Sequence, residues 1–290
     1  MRKIILLWLC ALALFALPAF AQLTPALWKI EKQGMTSYLL GTVHVGDKSM
    51  EVLPSTIENA IKNSDSVVVE VNLEALSALQ IQQRSLPYLR LPQGRTLDSE
   101  LTTQSYKMLS DYFGDKNINI TLFSSLKPWA VLLTMMQLEI QNAGFVEHYG
   151  IDKQVVLAAQ KLNKPVLELE TLEQQMEIFT ALEGHADQMV ADTFRQLKEL
   201  DGYFEHMVEA WKTGDTEVLI NIYDESFDDS PFGKLNEQVL LIERNKRWIE
   251  SLAQPLSEES LFIAVGALHL FKDNGLIALL EQQGFVVTRL

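Results

Sequence analysis

Short runs of apolar residues divide the chain into segments that alternate between the periodicity of a strand and that of a helix. The first two runs are separated by Gln33-Gly34, which predicts a hairpin at this point. A later run, Val67-Val68-Val69-Glu70-Val71, is rich in β-branched residues and is typical of a buried strand. The predicted strands are residues 27–31, 36–40, 67–71, 166–170, 261–266 and 285–289.

Helical patterns fill most of the sequence between these strands. Leu86-Pro87 and Leu91-Pro92 are predicted to interrupt the first long helical region, because proline has no N–H to donate. Pro128 suits a first helical turn, and Asp224 to Pro231 has the composition of a charged loop. Strands that alternate with helices indicate an α/β sheet. The helical segments are a helix beginning at 54–55, most of 74–145 with a helix at 128–143, a helix following 150–152, most of 171–250, and 274–283.

The first 21 residues have the pattern of a secretory signal peptide. Arg2 and Lys3 precede an apolar stretch over 4–17, and small residues stand before a predicted cleavage site after Ala21. We therefore expect a signal peptide over 1–21, one domain over 22–290, and a periplasmic or secreted protein. The alternative is an uncleaved anchor helix.

Composition narrows the classes of protein further. A hydrophobic content of 48% and a charged content of 21% are typical of a globular chain. The net charge of −14 disfavours nucleic acid and anionic lipid as partners. Cys10, the only cysteine, lies in the signal segment, so neither a disulfide nor a cysteine nucleophile is expected afterwards. Trp129 to Leu138 is apolar but too short to span a membrane.

Two copies of one pattern, Gly-x-x-His, each follow a predicted strand. Gly41-Thr42-Val43-His44 comes after the second strand, and Gly266-Ala267-Leu268-His269 comes after the fifth. Imidazole is the commonest metal ligand and the usual base near neutral pH. We expect the two histidines to meet in one site, and Gly41 and Gly266 to let a backbone or a cofactor come close. The alternative is two histidines that only cap loops.

Three further positions are candidates for the same site. Glu70 is flanked by valines, so its carboxylate is predicted to be buried beside a cation, unless it faces water on an edge strand. Glu170 lies at a strand end, where open α/β sheets bind ligands, and Glu168 shares its face. Arg244 with Asn245 could stabilise an oxyanion. The other histidines are predicted to be surface residues, namely His148, His185 and His206.

These motifs, in this order, resemble the TraB/GumN family, whose relatives include the animal Tiki proteins. The resemblance rests on residues 38–44, the Glu70 strand, 164–171, 244–245, 265–270 and 275–276. It implies an α/β (α+β) fold similar to the erythromycin esterase/ChaN-like proteins: a central mixed sheet flanked by helices, with largely helical insertions in the middle. The Tiki relatives are metal-dependent proteases with two Gly-x-x-His motifs and a glutamate. That set corresponds here to His44, His269 and Glu70.

The hypothesis that follows is a periplasmic, metal-dependent hydrolase that acts on a peptide. His44, His269 and Glu70 would hold one divalent ion, zinc, manganese or cobalt, with Glu170 as the base or with the two glutamates exchanged. Two other classes stay open: a protein that binds haem, an iron compound or another small ligand, and an accessory factor in envelope assembly or conjugation. The substrate and the oligomeric state are not specified by the sequence.

Overall fold

The computed structural model describes residues 23–199 and 202–290. The predicted signal peptide and its cleavage site lie outside these residues. Within them, no helix combines the length and the apolar character needed to cross a membrane.

The described residues form one six-stranded mixed sheet. Its strands are β1 (Leu27–Lys32), β2 (Met35–Thr42), β3 (Ser66–Val69), β4 (Val166–Glu168), β5 (Leu261–Gly266) and β6 (Val286–Arg289). Their order across the sheet is β4-β3-β5-β2-β1-β6. The four strands from β4 to β2 are parallel neighbours, whereas β1 is antiparallel to both β2 and β6. The predicted hairpin and the α/β class are thus confirmed.

Helices cover both faces of the sheet. They are α1 (Ser55–Asn63), α2 (Ala78–Leu89), α3 (Thr103–Asp115), α4 (Pro128–Asn142), α5 (Ile151–Lys161), α6 (Leu172–Thr180), α7 (Ala186–Glu199), α8 (Tyr203–Thr213), α9 (Thr216–Ser226), α10 (Pro231–Glu237), α11 (Glu243–Leu252), α12 (Pro255–Glu258) and α13 (Leu276–Gln282). A π-helical segment, Gln238–Ile242, joins α10 to α11.

The apolar side chains divide into three clusters. Alternation along β5 sends Phe262 to one face, where α1, α5 and α8 pack, and Ile263 to the other, where α11 and α13 pack. A third cluster, which includes Phe113 and Val131, joins α3, α4 and α7 away from the sheet. The helices that meet in this third cluster correspond to the helical insertions that the resemblance predicts in the middle of the chain.

Several predicted boundaries are wrong. Pro87 lies inside α2, which ends only two residues later at Leu89, so the proline disturbs one turn and does not end the helix. The predicted charged loop is shorter, because α9 continues to Ser226. Strand β3 ends at Val69 and β4 at Glu168, which places Glu70 and Glu170 just beyond the strands.

Candidate functional site

The site lies where four parallel strands end at one edge of the sheet. Thr42 of β2 is in register with Gly266 of β5, so the two Gly-x-x-His motifs leave neighbouring strands side by side. The next strands, β3 and β4, are followed by Glu70 and Glu170, and the Glu170 N–H donates to the Glu70 carbonyl at 2.8 Å. Parallel topology therefore brings together residues from distant parts of the chain.

The two motif glycines let this edge pack closely. A Cβ on Gly41 would lie 2.9 Å from the Ala267 Cα, so the second motif can cross the first only because Gly41 has no side chain. The Gly266 N–H donates to Glu70 Oε1 at 2.7 Å, and a Cβ there would lie 3.2 Å from the same oxygen. The close approach expected at both glycines is made by protein groups.

Arg244 is the centre of a buried ionic cluster. Its Nε–H donates to Glu170, at 3.0 and 3.1 Å from the two carboxylate oxygens. Nη2 donates to Glu70 Oε2 at 2.5 Å and to Glu170 Oε2 at 2.8 Å. Nη1 lies 3.1 Å from the Leu240 carbonyl and 3.0 Å from His269 Nε2. All five N–H groups of the guanidinium are used in this way, so none is left for an oxyanion.

Two features of the surrounding helix hold Arg244 in place. It follows the π-helical segment, and it donates to the carbonyl of Leu240 within that segment. Its guanidinium also lies 4.6 Å from the centre of the Trp248 ring, one turn further along α11. The indole of Trp248 is in turn 4.3 Å from the His269 ring, so it packs against both groups.

His269 is buried in a fixed orientation. Asn245 donates from Nδ2 to the carbonyls of His269 and Asn274, at 3.1 and 2.8 Å, so its Oδ1 is the acceptor that lies 2.6 Å from His269 Nδ1. The ring therefore carries its proton on Nδ1, and Nε2 accepts from Arg244. Burial lowers the pKa of His269 to about 3, so the ring is neutral at pH 7. Asn245 positions this histidine and has no polar atom left for an oxyanion.

His44 has the opposite environment. Its side chain is 72% exposed, and its Nδ1 lies 2.9 Å from Asp152 Oδ2, while Asp152 Oδ1 accepts from the Thr42 hydroxyl at 2.5 Å. The Asp152 charge raises the pKa of His44 to about 9. A Cβ on Gly150 would lie 2.3 Å from the His44 carbonyl oxygen, so the start of α5 packs directly under the first motif. That contact places Asp152 beside the His44 imidazole.

Glu70 is buried and ionised. Besides the Gly266 N–H and Arg244, it accepts from Gln175 Nε2 at 3.2 Å. Burial opposes its ionisation, but the charges of His269 and Arg244 outweigh burial and lower the pKa of Glu70 to about 2. Because His269 is itself neutral at pH 7, Arg244 and the protonated His44 are the cations that stabilise Glu70 there. The alternative of an edge strand with Glu70 in water is wrong, since β3 lies between β4 and β5.

Glu170 is buried in the ionic cluster, whereas Glu168 is on the surface. Glu170 is 4% exposed, and both its oxygens contact Arg244, with Arg247 at 3.4 Å. Glu168 is exposed and accepts from the backbone N–H of Asn72. Glu170 therefore holds Arg244 and is turned away from water, which does not suit a base.

A pocket of about 430 Å³ opens beside the cluster. Its polar lining includes His44, Glu70, Asp152 and Gln175, and valine, leucine and isoleucine side chains also line it. Substrate in this pocket would reach His44 and Glu70, whereas Glu170 and Asn245 stand behind them.

The chain is similar to known proteins over most of its length. The family model described as the TraB/PrgY/gumN family matches residues 26–289. This chain belongs to the TraB/PrgY/gumN family. Two relatives are the uncharacterized protein YbaP of Shigella flexneri, 26% identical over 249 residues, and that of Escherichia coli (strain K12), 26% identical over 248. Each alignment covers 84% of this chain, with 88% and 87% of the relative. No solved structure matches, so likeness to the erythromycin esterase/ChaN-like fold stays a prediction.

The site contains two residues that sequence reasoning missed in this TraB family member. The sequence pattern places Asp152 only at the start of a helix, and nothing in it marks Gln175. The one available signal for Asp152 is an acid two residues after Gly150, in the first turn of the predicted helix, which is also a common way to begin a helix. Of the other histidines, His148 and His206 are exposed as predicted and His185 is half-buried, and none of them lines the pocket.

The donor atoms of this TraB family site are of the types that bind a divalent ion. Each motif histidine has its Nδ1 held by a neighbour, which is how metal-binding imidazoles are usually oriented, and Glu70 adds a carboxylate. Within residues 23–199 and 202–290, however, no group of three His, Cys, Asp or Glu side chains is placed to hold a metal. Arg244 occupies both Glu70 Oε2 and His269 Nε2, so an ion would have to displace those two hydrogen bonds.

Proposed function

We propose that this chain is a periplasmic hydrolase that cleaves amide bonds in peptides with the help of a divalent ion. The observation that supports this proposal best is the pair of motif imidazoles. Both are oriented through Nδ1, and both are close enough to Glu70 to shift its pKa. His44, Glu70 and His269 would hold zinc, manganese or cobalt.

The charge states of these residues suit that role. His269 is neutral at pH 7 and Glu70 is ionised, which are the forms that bind a metal. A bound ion would lower the pKa of its water to roughly 7 and polarise the substrate carbonyl. His44 carries a proton at neutral pH and must lose it to become a ligand, so we expect metal affinity to rise with pH.

When His44 is not a metal ligand, the pair His44–Asp152 would transfer protons in the pocket. One Nε2 atom cannot ligate an ion and carry a proton at the same time, so His44 serves one role or the other, and Asp152 supports both by holding Nδ1. Gln175 is the candidate for oxyanion stabilisation. Its Nε2 has two hydrogens, and only one of them is used by Glu70.

The test is metal content and peptidase activity of the exported protein and of the variants His44→Ala, His269→Ala and His206→Ala. We expect about one ion per wild-type chain, and a loss of activity of at least about 10²-fold in the first two variants. His206 is exposed and outside the site, so its variant is the control. Equal, negligible metal in all four proteins would contradict the divalent ion. Hydrolysis that survives both site variants would contradict the proposed residues.

A second candidate function is ligand binding without catalysis. His44 is the exposed imidazole of the two and lines the pocket, so it could ligate the iron of a haem-type compound. A Soret band that appears on mixing with haem and is lost in His44→Ala, together with no peptidase activity, would favour this function.

The periplasmic location rests on the signal pattern of the first 21 residues. Amino-terminal sequencing of the exported protein is expected to begin at Gln22. Recovery of the uncleaved chain in the membrane fraction would favour the anchor helix.

A further inference from the structure

The pocket beside His44 has an apolar wall that is open to solvent. Val71 and Leu73 line it from the loop after β3, and Ile140 and Val156 line it from α4 and α5. Leu73 is 41% exposed, so part of this wall offers apolar surface to a ligand. An apolar group of a ligand that lay on this wall would remove this surface from water.

The charged side chains that line the pocket are almost all neutralised within the protein. Glu70 is paired with Arg244, and Asp152 with His44. Glu74 is paired with Lys153 at 3.2 Å. These contacts leave one carboxylate to consider.

Glu147 is that carboxylate. It is exposed, it lines the same pocket, and no cation of the described residues pairs with its side chain. The backbone carbonyl of Glu147 accepts from the Gly150 N–H at 2.9 Å. The backbone of Glu147 is therefore held by the same turn that places Asp152 beside His44. A cleft with low-dielectric walls focuses the field of such a charge, which attracts cations and repels anions.

We infer that the pocket binds a peptide segment that carries a large apolar side chain and a positive charge, with the charge at Glu147. The positive charge is either a free amino terminus or a basic side chain. Acidic and succinylated peptides are disfavoured by the same carboxylate. This substrate class rests on the proposed peptidase function and defines its specificity.

The experiment compares peptides of one apolar sequence that differ only in charge. The four forms have a free amino terminus, an acetylated one, a succinylated one, or an acetylated terminus with an added lysine. The kcat/KM of each is measured for wild type, Glu147→Gln, Glu147→Lys and the control Glu58→Lys, whose exposed side chain on α1 is outside the pocket. Binding of reduced-amide analogues is followed in parallel by fluorescence anisotropy.

Wild type is expected to prefer an amine-bearing peptide over the succinylated one by about tenfold or more. Glu147→Gln should remove most of that preference, Glu147→Lys should reverse it, and Glu58→Lys should leave it unchanged. A preference for the free terminus alone identifies the amino terminus as the charge, a preference for the lysine form alone identifies a basic side chain, and an equal gain from both shows that the subsite accepts either. The same ranking of peptides in wild type and Glu147→Lys would overturn the inference.

The two proposals fail separately in this experiment. Hydrolysis of all four peptides without charge preference would refute the assignment of Glu147 and leave the hydrolase standing. Charge-selective binding of the analogues without hydrolysis of any peptide would refute the hydrolase and leave the subsite standing.

Discussion

His44 and His269 hold equivalent positions in their motifs, yet their surroundings give them opposite properties. Burial keeps His269 neutral, while Asp152 favours the charged form of the exposed His44. One motif therefore supplies a fixed lone pair and the other a group that can exchange its proton. This difference depends on Asp152, which lies far from His44 in the sequence.

Replacement of Asp152 tests this origin of the His44 charge. Asp152→Asn removes the negative charge but keeps a side chain of similar size, so we expect the pKa of His44 to fall towards 6.5. An NMR titration of the His44 ring protons in chelator-treated protein measures the change. Asp115→Asn, an exposed substitution at the end of α3, is the control, and an unchanged pKa of His44 in Asp152→Asn would contradict the assignment.

Gln175 is the second residue at which the site can be tested. If its spare N–H stabilises the oxyanion, Gln175→Ala should lower kcat about 10²-fold or more and change KM little. Steady-state kinetics of Gln175→Ala and of the exposed Gln160→Ala make the comparison. A rise in KM at constant kcat would instead assign Gln175 to substrate binding.

At the scale of elements, the site depends on how closely two strand ends can approach. The second motif crosses the first at Gly41, where the turn after β5 leaves no room for a side chain. The carbonyl of Gly41 also accepts from Trp211 Nε1 at 2.7 Å, which ties this crossing to α8. The close packing of the two motifs therefore depends in part on this contact.

Gly41→Ala is expected to destabilise the protein by about 1–3 kcal/mol, because its Cβ would meet the backbone of Ala267. Gly114→Ala is the matched control. Gly114 lies inside α3 with open space around it, so the same change there should stabilise by about 0.5–1 kcal/mol. Urea unfolding measures both, and a Gly41→Ala protein as stable as wild type would show that the crossing is not tightly packed.

On the scale of the whole molecule, the buried cluster links stability to pH. The pKa of His269 is about 3 in the folded protein and near 6.5 when unfolded, so the unfolded chain takes up more protons in this range. The free energy of unfolding should therefore fall as pH decreases from 6.5 towards 3. Glu70 adds a further loss between about pH 4.5 and 2. His44 has the opposite effect on the free energy of unfolding. Its raised pKa stabilises the folded state fully below pH 6.5, and this stabilisation is lost as the pH rises towards 9.

Urea midpoints at several pH values between 8 and 4 measure this dependence. His269→Gln, which cannot titrate, should show a shallower loss of stability below pH 6.5 than wild type. His206→Gln should behave as wild type, because that ring is exposed. Equal slopes in wild type and His269→Gln would show that His269 does not govern acid stability.

Much of the fold could be predicted from local patterns. The hairpin, the valine-rich strand before Glu70 and the helix that begins at Pro128 were all predicted, since periodicity and turn residues are local properties. Pro87 was the main local error. The π-helical segment before Arg244 was also missed, because its apolar pattern does not differ from that of an α-helix.

The sequence by itself determined the class of fold and the family, and it indicated the residue types of the site: two histidines after strands, and one acid each within or at the end of two other strands. The tertiary structure decided which of these groups face the pocket and which charge each one carries. Arg244 meets Glu70, Glu170 and His269 only because parallel strands end at one edge of the sheet and α11 packs against it. Protonation and access depend on burial and on neighbours distant in the chain, and no local pattern contains that information.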